Sequence, residues 1–331
     1  MKRKDFISNM AFAGFGISAF GFNSKEIIGS KGIHDIFKNN NIKISLAQWS
    51  LHNMINSGEI SPYDFPKLAA KWGFSGIEHV NALYHDVMKS KNKNLALKSF
   101  IKKNNQLAKN YDLKNLMIMI DDEGDLSTNT KNDRIKAIKN HFPWVETAAA
   151  MGCNSIRINL FVPSGQAYNV NDWKDTSIES LSKIGEYAES YGINILVENH
   201  GGLSSNAKLL IEVINIVDKN NCGTLPDFGN FCVRREDNER WDKTCLEEYD
   251  KYTGMDELMH KNLGSVSAKS YDFDNQGNET SLDYSRMVKI IKKHNFSGYI
   301  GVEYGGGEYG GIPMSDPKGT IATRDLLLKL I

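Results

Sequence analysis

Three carboxylates in this chain each close a short apolar run: Glu198 in "INILVENHGG" (193–202), Asp227 in "TLPDFGN" (224–230) and Glu303 in "GYIGVEYGGG" (298–307). An acid at the end of a buried strand has a fixed backbone behind it and a loop in front of it. One such acid is ordinary turn or helix-cap chemistry. Three at corresponding positions, brought together, repel one another, and a shared divalent cation relieves that repulsion most simply. Lys269, near the end of "GSVSAKS", is the competing partner: its ammonium could offset part of the charge or form a structural ion pair with Glu303. His200 lies just past Glu198 and could pass a proton or hydrogen bond to a substrate hydroxyl, or simply cap its loop. Asn230, Arg157 and His52 are candidates for polar substrate contacts, with Gln48 and His85 behind them. Of Glu78 and His79, at the end of "GIEHV", only one can face inward, and Glu78 is the better candidate for the substrate side.

These residues need a frame that carries strand ends to one place. Eight short β-branched runs recur from residue 42 onward: 42–49, 76–80, 113–120, 154–160, 193–199, 223–228, 264–270 and 298–304. Between them lie longer stretches with helical spacing, at 61–72, 94–111, 135–151, 177–191 and 206–220. Several of these stop at a glycine just before the next run, as in "KWGFSGIE", "AAMGCNSIRI" and "ESYGINILVE". Eight β-then-α units closing on themselves predict an α/β fold of the (β/α)8 TIM-barrel type, whose active sites sit at the C-terminal strand ends. An open doubly wound sheet would need a Gly-rich phosphate turn after its first strand, and "LAQWSLHN" has none.

The motifs "LVENHGG", "LPDFGN" and "GYIGVEY", in this order, resemble the sugar phosphate isomerase/epimerase group of xylose isomerase-like barrels, over essentially everything from residue 42. The resemblance implies a divalent metal held by Glu198, Asp227, a histidine and Glu303, with Mn2+ favoured and Mg2+, Zn2+ or Co2+ as alternatives. The seventh run departs from the family's His-x-Lys-Asp pattern: "SAKS" keeps Lys269 but puts Ser267 where the imidazole belongs. The implied activity is isomerisation or epimerisation of an unphosphorylated sugar or keto-sugar. Glu198 and Glu303 would handle a proton on opposite faces of a carbon beside a carbonyl, through an enediolate. A lyase with the same first step, dehydrating or cleaving a keto-glycoside, and a catalytically inactive sugar-binding barrel are the alternatives. The group's likeness to endonuclease IV carries little here, since that enzyme needs many histidine ligands and a basic DNA face, while this chain has eight scattered histidines and no net charge.

Composition limits the partners. The chain has 331 residues, with 40 Lys and Arg against 40 Asp and Glu, so no overall field attracts nucleic acid. A small-molecule carbohydrate is the expected partner, and a homo-oligomer is compatible with the composition. Aromatic residues after the runs, among them Trp49, Tyr84, Phe161, Tyr168, Trp173, Phe231, Tyr271, Phe273, Tyr304 and Tyr309, suit the C–H faces of a sugar. Cys153, Cys222, Cys232 and Cys245 show no C-x-x-C spacing and read as small apolar residues; export would leave a disulfide open to them, though the spacing does not argue for one. Residues 1–22, with Lys2, Arg3 and Lys4 ahead of a short apolar stretch, read as a twin-arginine-like export signal, which places the protein in the periplasm; without export it would be cytoplasmic. That stretch is too short for stable membrane insertion. Residues 23–41 read as a linker and 42–331 as the barrel, with the glycine run 305–311 as a loop over its mouth.

Overall fold

The computed structural model describes residues 41–306 and 313–331. The expected export signal, nearly all of the expected linker, Tyr309 and most of the glycine run lie outside the described residues. Ten strands follow one another along the chain: β1 (Ile42–Ala47), β2 (Gly76–Val80), β3 (Lys114–Met119), β4 (Ser155–Ile158), β5 (Asn194–Glu198), β6 (Cys222–Leu225), β7 (Cys232–Arg235), β8 (Cys245–Glu248), β9 (Ser265–Ser270) and β10 (Gly298–Tyr304). Eight of them form one parallel sheet in the order β6-β5-β4-β3-β2-β1-β10-β9. Bridges Thr224↔Asn262 and Asp227↔Ser267 join the two ends, with Ser267 N–H donating to Pro226 O at 2.9 Å and Phe228 N–H to Ser267 O at 3.1 Å. The sheet therefore closes as a (β/α)8 barrel.

Seven of the eight runs read from the sequence contain one barrel strand each, and the remaining one, 223–228, overlaps β6, which starts one residue earlier at Cys222. Outward-facing Ile118, Ile156, Ile195 and Val197 are buried against the surrounding helices in one cluster with Trp144, Leu181 and Ile184. Two-sided burial is why these strands read as continuous apolar runs rather than alternating ones. Helices Phe65–Lys71, Lys131–Ala150 and Val170–Glu189 give way to the next strand through Gly73, Gly152 and Gly192, at φ +77°, +73° and +67°. Side chains other than glycine rarely adopt that backbone, so the glycine ends the helix where it stands.

Two helices begin earlier than their periodicity suggests. The helix Val170–Glu189 starts at a cap, Asn169, whose side chain accepts from the Asn171 and Asp172 N–H groups. Its first turns are held by Trp173, whose buried indole N–H donates to Leu160 O at 3.0 Å.

The pair β7 and β8 lies outside the barrel as an antiparallel hairpin. A disulfide links Cys232 to Cys245 within it, which corrects the reading of those two cysteines as small apolar residues. Both sit on a solvent-facing hairpin, where pairing across two strands is geometrically open and apolar burial is not. Cys153 and Cys222 are buried free thiols and fit the original reading. Among the described residues, no helix is long and apolar enough to cross a membrane.

Candidate active site

Alternation along the strands turns Ser45, Glu78, Arg157, Glu198, Ser267, Lys269, Gly301 and Glu303 into the barrel. Glu198 ends β5, Glu303 is the penultimate residue of β10, and Asp227 stands two residues past β6, beyond the Pro226 that stops the ladder. All three carboxylates are buried, and one oxygen from each lies within 4.8 Å of the other two. The sequence thus brought together the three acids it singled out.

Each acid has its own partners. Arg157 Nε stands 2.9 Å from Glu198 Oε2. That contact is out of line for a hydrogen bond, so both atoms are buried without one. Asn230 Nδ2 donates to the other oxygen of Glu198 at 3.2 Å. Asp227 Oδ1 accepts from the Gly229 and Asn230 N–H groups, both at 2.8 Å, while Ser267 Oγ donates to its Oδ2 at 2.6 Å and to Glu303 Oε2 at 3.3 Å. Lys269 Nζ lies 2.6 Å from Glu303 Oε1, both groups almost fully buried, so the ion pair considered from the sequence is formed.

Burial pushes Asp227 up to about 7, with Glu303 repulsion adding to it and Lys269 opposing it. Burial also holds Glu198 well above the usual carboxylate range, against the pull of Arg157. Burial lowers the Arg157 guanidinium, but Asp121 and Glu198 outweigh this and leave it more firmly charged than usual. Three buried acids facing two fixed cations form a centre with residual affinity for positive charge.

The set fits a divalent metal. Its donors are hard oxygens from Glu198, Asp227 and Glu303, with the Ser267 hydroxyl beside them, and Glu198 Oε2 has unfilled hydrogen-bonding capacity. An all-oxygen set suits Mn2+ or Mg2+ better than a metal that prefers imidazole or thiolate.

Above this floor opens a cleft of about 1080 Å³, lined among others by Trp49, His52, Asp121, Arg157, Asn159, Phe161, His200, Asn230, Trp241, Lys269 and Glu303. His52 stacks on Trp49 at 4.4 Å between ring centroids. His200 Nδ1 lies 2.9 Å from Asn159 Oδ1 and 3.6 Å from Glu198 Oε2. Burial, reinforced by Arg157, Lys269 and Arg240, keeps the His200 imidazole neutral, with its pKa well below the usual range.

Other candidates lie elsewhere. Glu78 faces inward, as parity requires, but it does not itself line the cleft; it lies inside the barrel, within electrostatic reach of Glu303 and Arg157, and accepts from Ser45 Oγ at 2.5 Å. A Cβ at Gly301 would come within 2.6 Å of both Glu78 oxygens, so this carboxyl fills the space left by the missing side chain. Gln48 is buried, bonded to Pro62 O and the Val80 N–H, and His85 is exposed on a short helix. Of the described aromatic candidates, Trp49 and Phe161 line the cleft, while Tyr84, Trp173, Phe231, Tyr271 and Tyr304 are buried in packing.

The sequence reading missed Asp121 and Asn159, which follow the ends of β3 and β4. Asp121 accepts from Arg157 Nη1 at 2.7 Å and from Asn159 Nδ2 at 2.8 Å, fixing the guanidinium beside Glu198. It also missed Arg240 and Trp241, which the hairpin turn carries to the mouth. The strand-end rule, applied to every run, would have found the first two; no periodicity marks the others.

Residues 66–330 match the family model described as xylose isomerase-like TIM barrel. The chain belongs to that family. Among solved structures it is similar to a D-tagatose 3-epimerase-like protein, with a TM-score of 0.64, 15% identity and coverage of 87% of this chain and 96% of that one. A similar match is the IOLI protein with a bound zinc atom, with a TM-score of 0.62, 16% identity and coverage of 87% and 99%. Another is 3-keto-D-glucoside 4-epimerase from E. coli, with a TM-score of 0.60, 15% identity and coverage of 88% and 98%. Likeness at such identities speaks for the fold.

Among curated proteins, a C-glycoside deglycosidase alpha subunit from Arthrobacter globiformis is 33% identical over 75 residues, 23% of this chain and 20% of that protein. An uncharacterized protein, MJ1311, from Methanocaldococcus jannaschii is 23% identical over 153 residues, 43% of this chain and 47% of that protein. The chain thus matches a fifth and about half of the lengths of these two relatives.

Proposed function

We infer that this protein is an enzyme of the sugar epimerase and isomerase type, acting on an unphosphorylated sugar or keto-sugar. The observation that carries this reading is the trio Glu198, Asp227 and Glu303, buried together, with Glu303 lining an open cleft. These three residues would hold a divalent cation, Mn2+ in the first instance, which when bound supplies a Lewis acid for a substrate carbonyl and its neighbouring hydroxyl.

The chain's own groups do the rest. Glu198 and Glu303 come from strands on different sides of the barrel and approach a carbon between them from different faces. Removal of a proton by one and return by the other inverts the centre; return to the adjacent carbon isomerises the sugar. The raised pKa of Glu198 suits a carboxylate that must both take and give a proton. Neutral His200, oriented by Asn159, can hydrogen-bond a hydroxyl without adding charge. The guanidinium groups of Arg157 and Arg240 are engaged by Asp121 and Asp125, which favours an uncharged substrate over a phosphorylated one.

A second reading keeps the first step and ends in elimination, so that the same enolisation cleaves a glycoside. The 33% identity to part of a C-glycoside deglycosidase alpha subunit favours it. The disulfide on the hairpin suits an oxidising compartment, in keeping with export to the periplasm by residues 1–22.

Elemental analysis of protein reconstituted with Mn2+ tests the reading. Near-stoichiometric metal is expected, with loss in Glu303→Gln, together with deuterium uptake from D2O at a sugar carbon. Product analysis then separates epimer from released aglycone. Protein that stays metal-free and exchanges no deuterium with any keto-sugar would sink the proposal.

A further inference from the structure

The floor of the cleft accounts for one sugar ring. The cleft itself, at about 1080 Å³, exceeds the roughly 300–1000 Å³ typical of pockets for whole drug-sized ligands. The surplus lies in a defined place. In the strand order, β1 is four strands from β5, so Trp49 and His52 at the end of β1 face the β5 side across the carboxylates. On that far side stands Trp241, delivered by the turn of the disulfide-linked hairpin.

Trp241 is built into the wall. Its ring centroid is 4.9 Å from that of His200 and 5.9 Å from that of Phe161, the latter edge to face at 86°. A Cβ at Gly201 would lie 3.6 Å from the indole, so the ring rests on backbone that carries no side chain. The residue nevertheless keeps 40% of its surface exposed. His200 in turn stands 3.6 Å from Glu198, so the indole begins one imidazole's width from the reacting centre.

Asp242 and Lys243 also line the cleft, but the polar groups that touch the Trp241 and Phe161 rings are committed elsewhere. Arg240 Nη2 donates to Asp125 Oδ1 at 2.7 Å and to Val162 O at 2.8 Å while its guanidinium covers the Phe161 ring at 4.1 Å, and His200 is tied to Asn159. What the corner offers a ligand is aromatic surface rather than a set of free hydrogen-bonding groups. A second sugar would find few partners there; a flat apolar ring would find several.

We propose that Trp241, with Phe161, forms a second subsite that binds an aromatic aglycone, so that the substrate is an aryl glycoside rather than a free monosaccharide. This rests on the sugar reading above and names its substrate class. The reacting sugar lies over the carboxylates, and the group attached to it extends toward β4, β5 and the hairpin.

The test is equilibrium binding, by calorimetry, of phenyl and methyl glycosides of glucose, galactose and xylose to the Mn2+-reconstituted full chain. At least one phenyl glycoside is expected to bind tenfold or more tighter than its methyl counterpart, a difference of about 1.4 kcal/mol. The ratio should fall toward one in Trp241→Ala and be largely kept in Trp241→Phe, with unchanged circular dichroism in both. No difference between phenyl and methyl ligands in any of the three sugars, or a ratio that Trp241→Ala leaves intact, overturns the subsite. Binding does not require turnover. A protein that prefers phenyl glycosides but exchanges no deuterium keeps the subsite and loses the enolising chemistry.

Discussion

Replacing both hairpin cysteines, Cys232→Ser with Cys245→Ser, removes a cross-link that closes a loop with a sequence separation of 13. In the chain-entropy account, releasing a loop of this size restores freedom to the unfolded chain worth about 3 kcal/mol. The folded hairpin has other anchors. Tyr168 Oη donates to Val233 O at 2.9 Å, Ser164 Oγ to Glu239 Oε2 at 2.6 Å and the Gly165 N–H to Asn238 O at 3.1 Å. Because these contacts do not involve the sulfurs, the loss should fall mainly on the unfolded state. The assay is equilibrium urea unfolding followed by circular dichroism and tryptophan fluorescence. With a slope of about 3 kcal/mol/M for a domain of this size, the midpoint should drop by about 1 M. Dithiothreitol should lower the wild-type midpoint by the same amount and leave the double variant unmoved. In the folded protein scrambling is not expected, since burial pushes the Cys153 and Cys222 thiols up to about 12 and leaves little thiolate to exchange; unfolding samples are kept at mildly acidic pH, where the exposed thiols are also protonated. A midpoint that stays put on both reduction and substitution would refute the reasoning.

Two further outcomes follow from buried groups. His79 points away from the cleft, with Nε2 2.9 Å from Asn115 Oδ1 and Nδ1 2.9 Å from Tyr84 Oη, and burial lowers its pKa to about 4. Between its unfolded value near 6.5 and 4 only the unfolded chain takes up this proton, so the His79 contribution to stability should fall by about 3 kcal/mol as pH drops through that window, against the opposite contribution of the raised carboxyl of Asp227; the difference between wild type and His79→Gln should change by this amount across the window, and a constant difference would show that the folded protein binds the proton. Gly223→Ala would place a Cβ 2.4 Å from the carbonyl oxygen of Lys261, which accepts the Thr224 N–H beside the barrel seam. A loss of about 1–3 kcal/mol, read as a melting temperature several degrees lower, is expected, and an unchanged temperature would show that the seam can give way.

The barrel was legible because its strands are buried on both faces and its helices stop at glycines; both leave marks within a few residues of sequence. The carboxylates were legible because the fold assigns chemistry to strand ends, and Glu198, Asp227 and Glu303 stand there. What escaped notice was held together over distance. Arg157 was an isolated arginine in the sequence, and only folding puts Asp121 and Glu198 on either side of its guanidinium. The hairpin escaped because β8 is exposed at all four positions, so it has no apolar alternation to read, and its two cysteines match no ligand spacing. Glu78 was placed on the correct face of its strand. Its depth depends on Gly301, which only the pairing of the fold brings opposite it.

The part played by Ser267 follows from the same contacts. Three carboxylates this close need distinct neutralising partners if they are to keep fixed orientations without a metal. Arg157 serves Glu198 from one side and Lys269 serves Glu303 from the other, while Asp227 is held by two backbone N–H groups and the Ser267 hydroxyl. The Ser267 hydroxyl can always donate to Asp227, whereas an imidazole at 267 would do so only in the tautomer with the proton on its inward nitrogen. Serine therefore favours an ordered trio in the metal-free protein, at the expense of one strong ligand to a bound cation. A cation entering such a site meets acids already oriented, but it must share Glu303 with an ammonium 2.6 Å away. Preorganisation and competition act in opposite directions here. With a hydroxyl at 267 and an ammonium beside Glu303, a metal would be held less tightly here than by an imidazole-containing set.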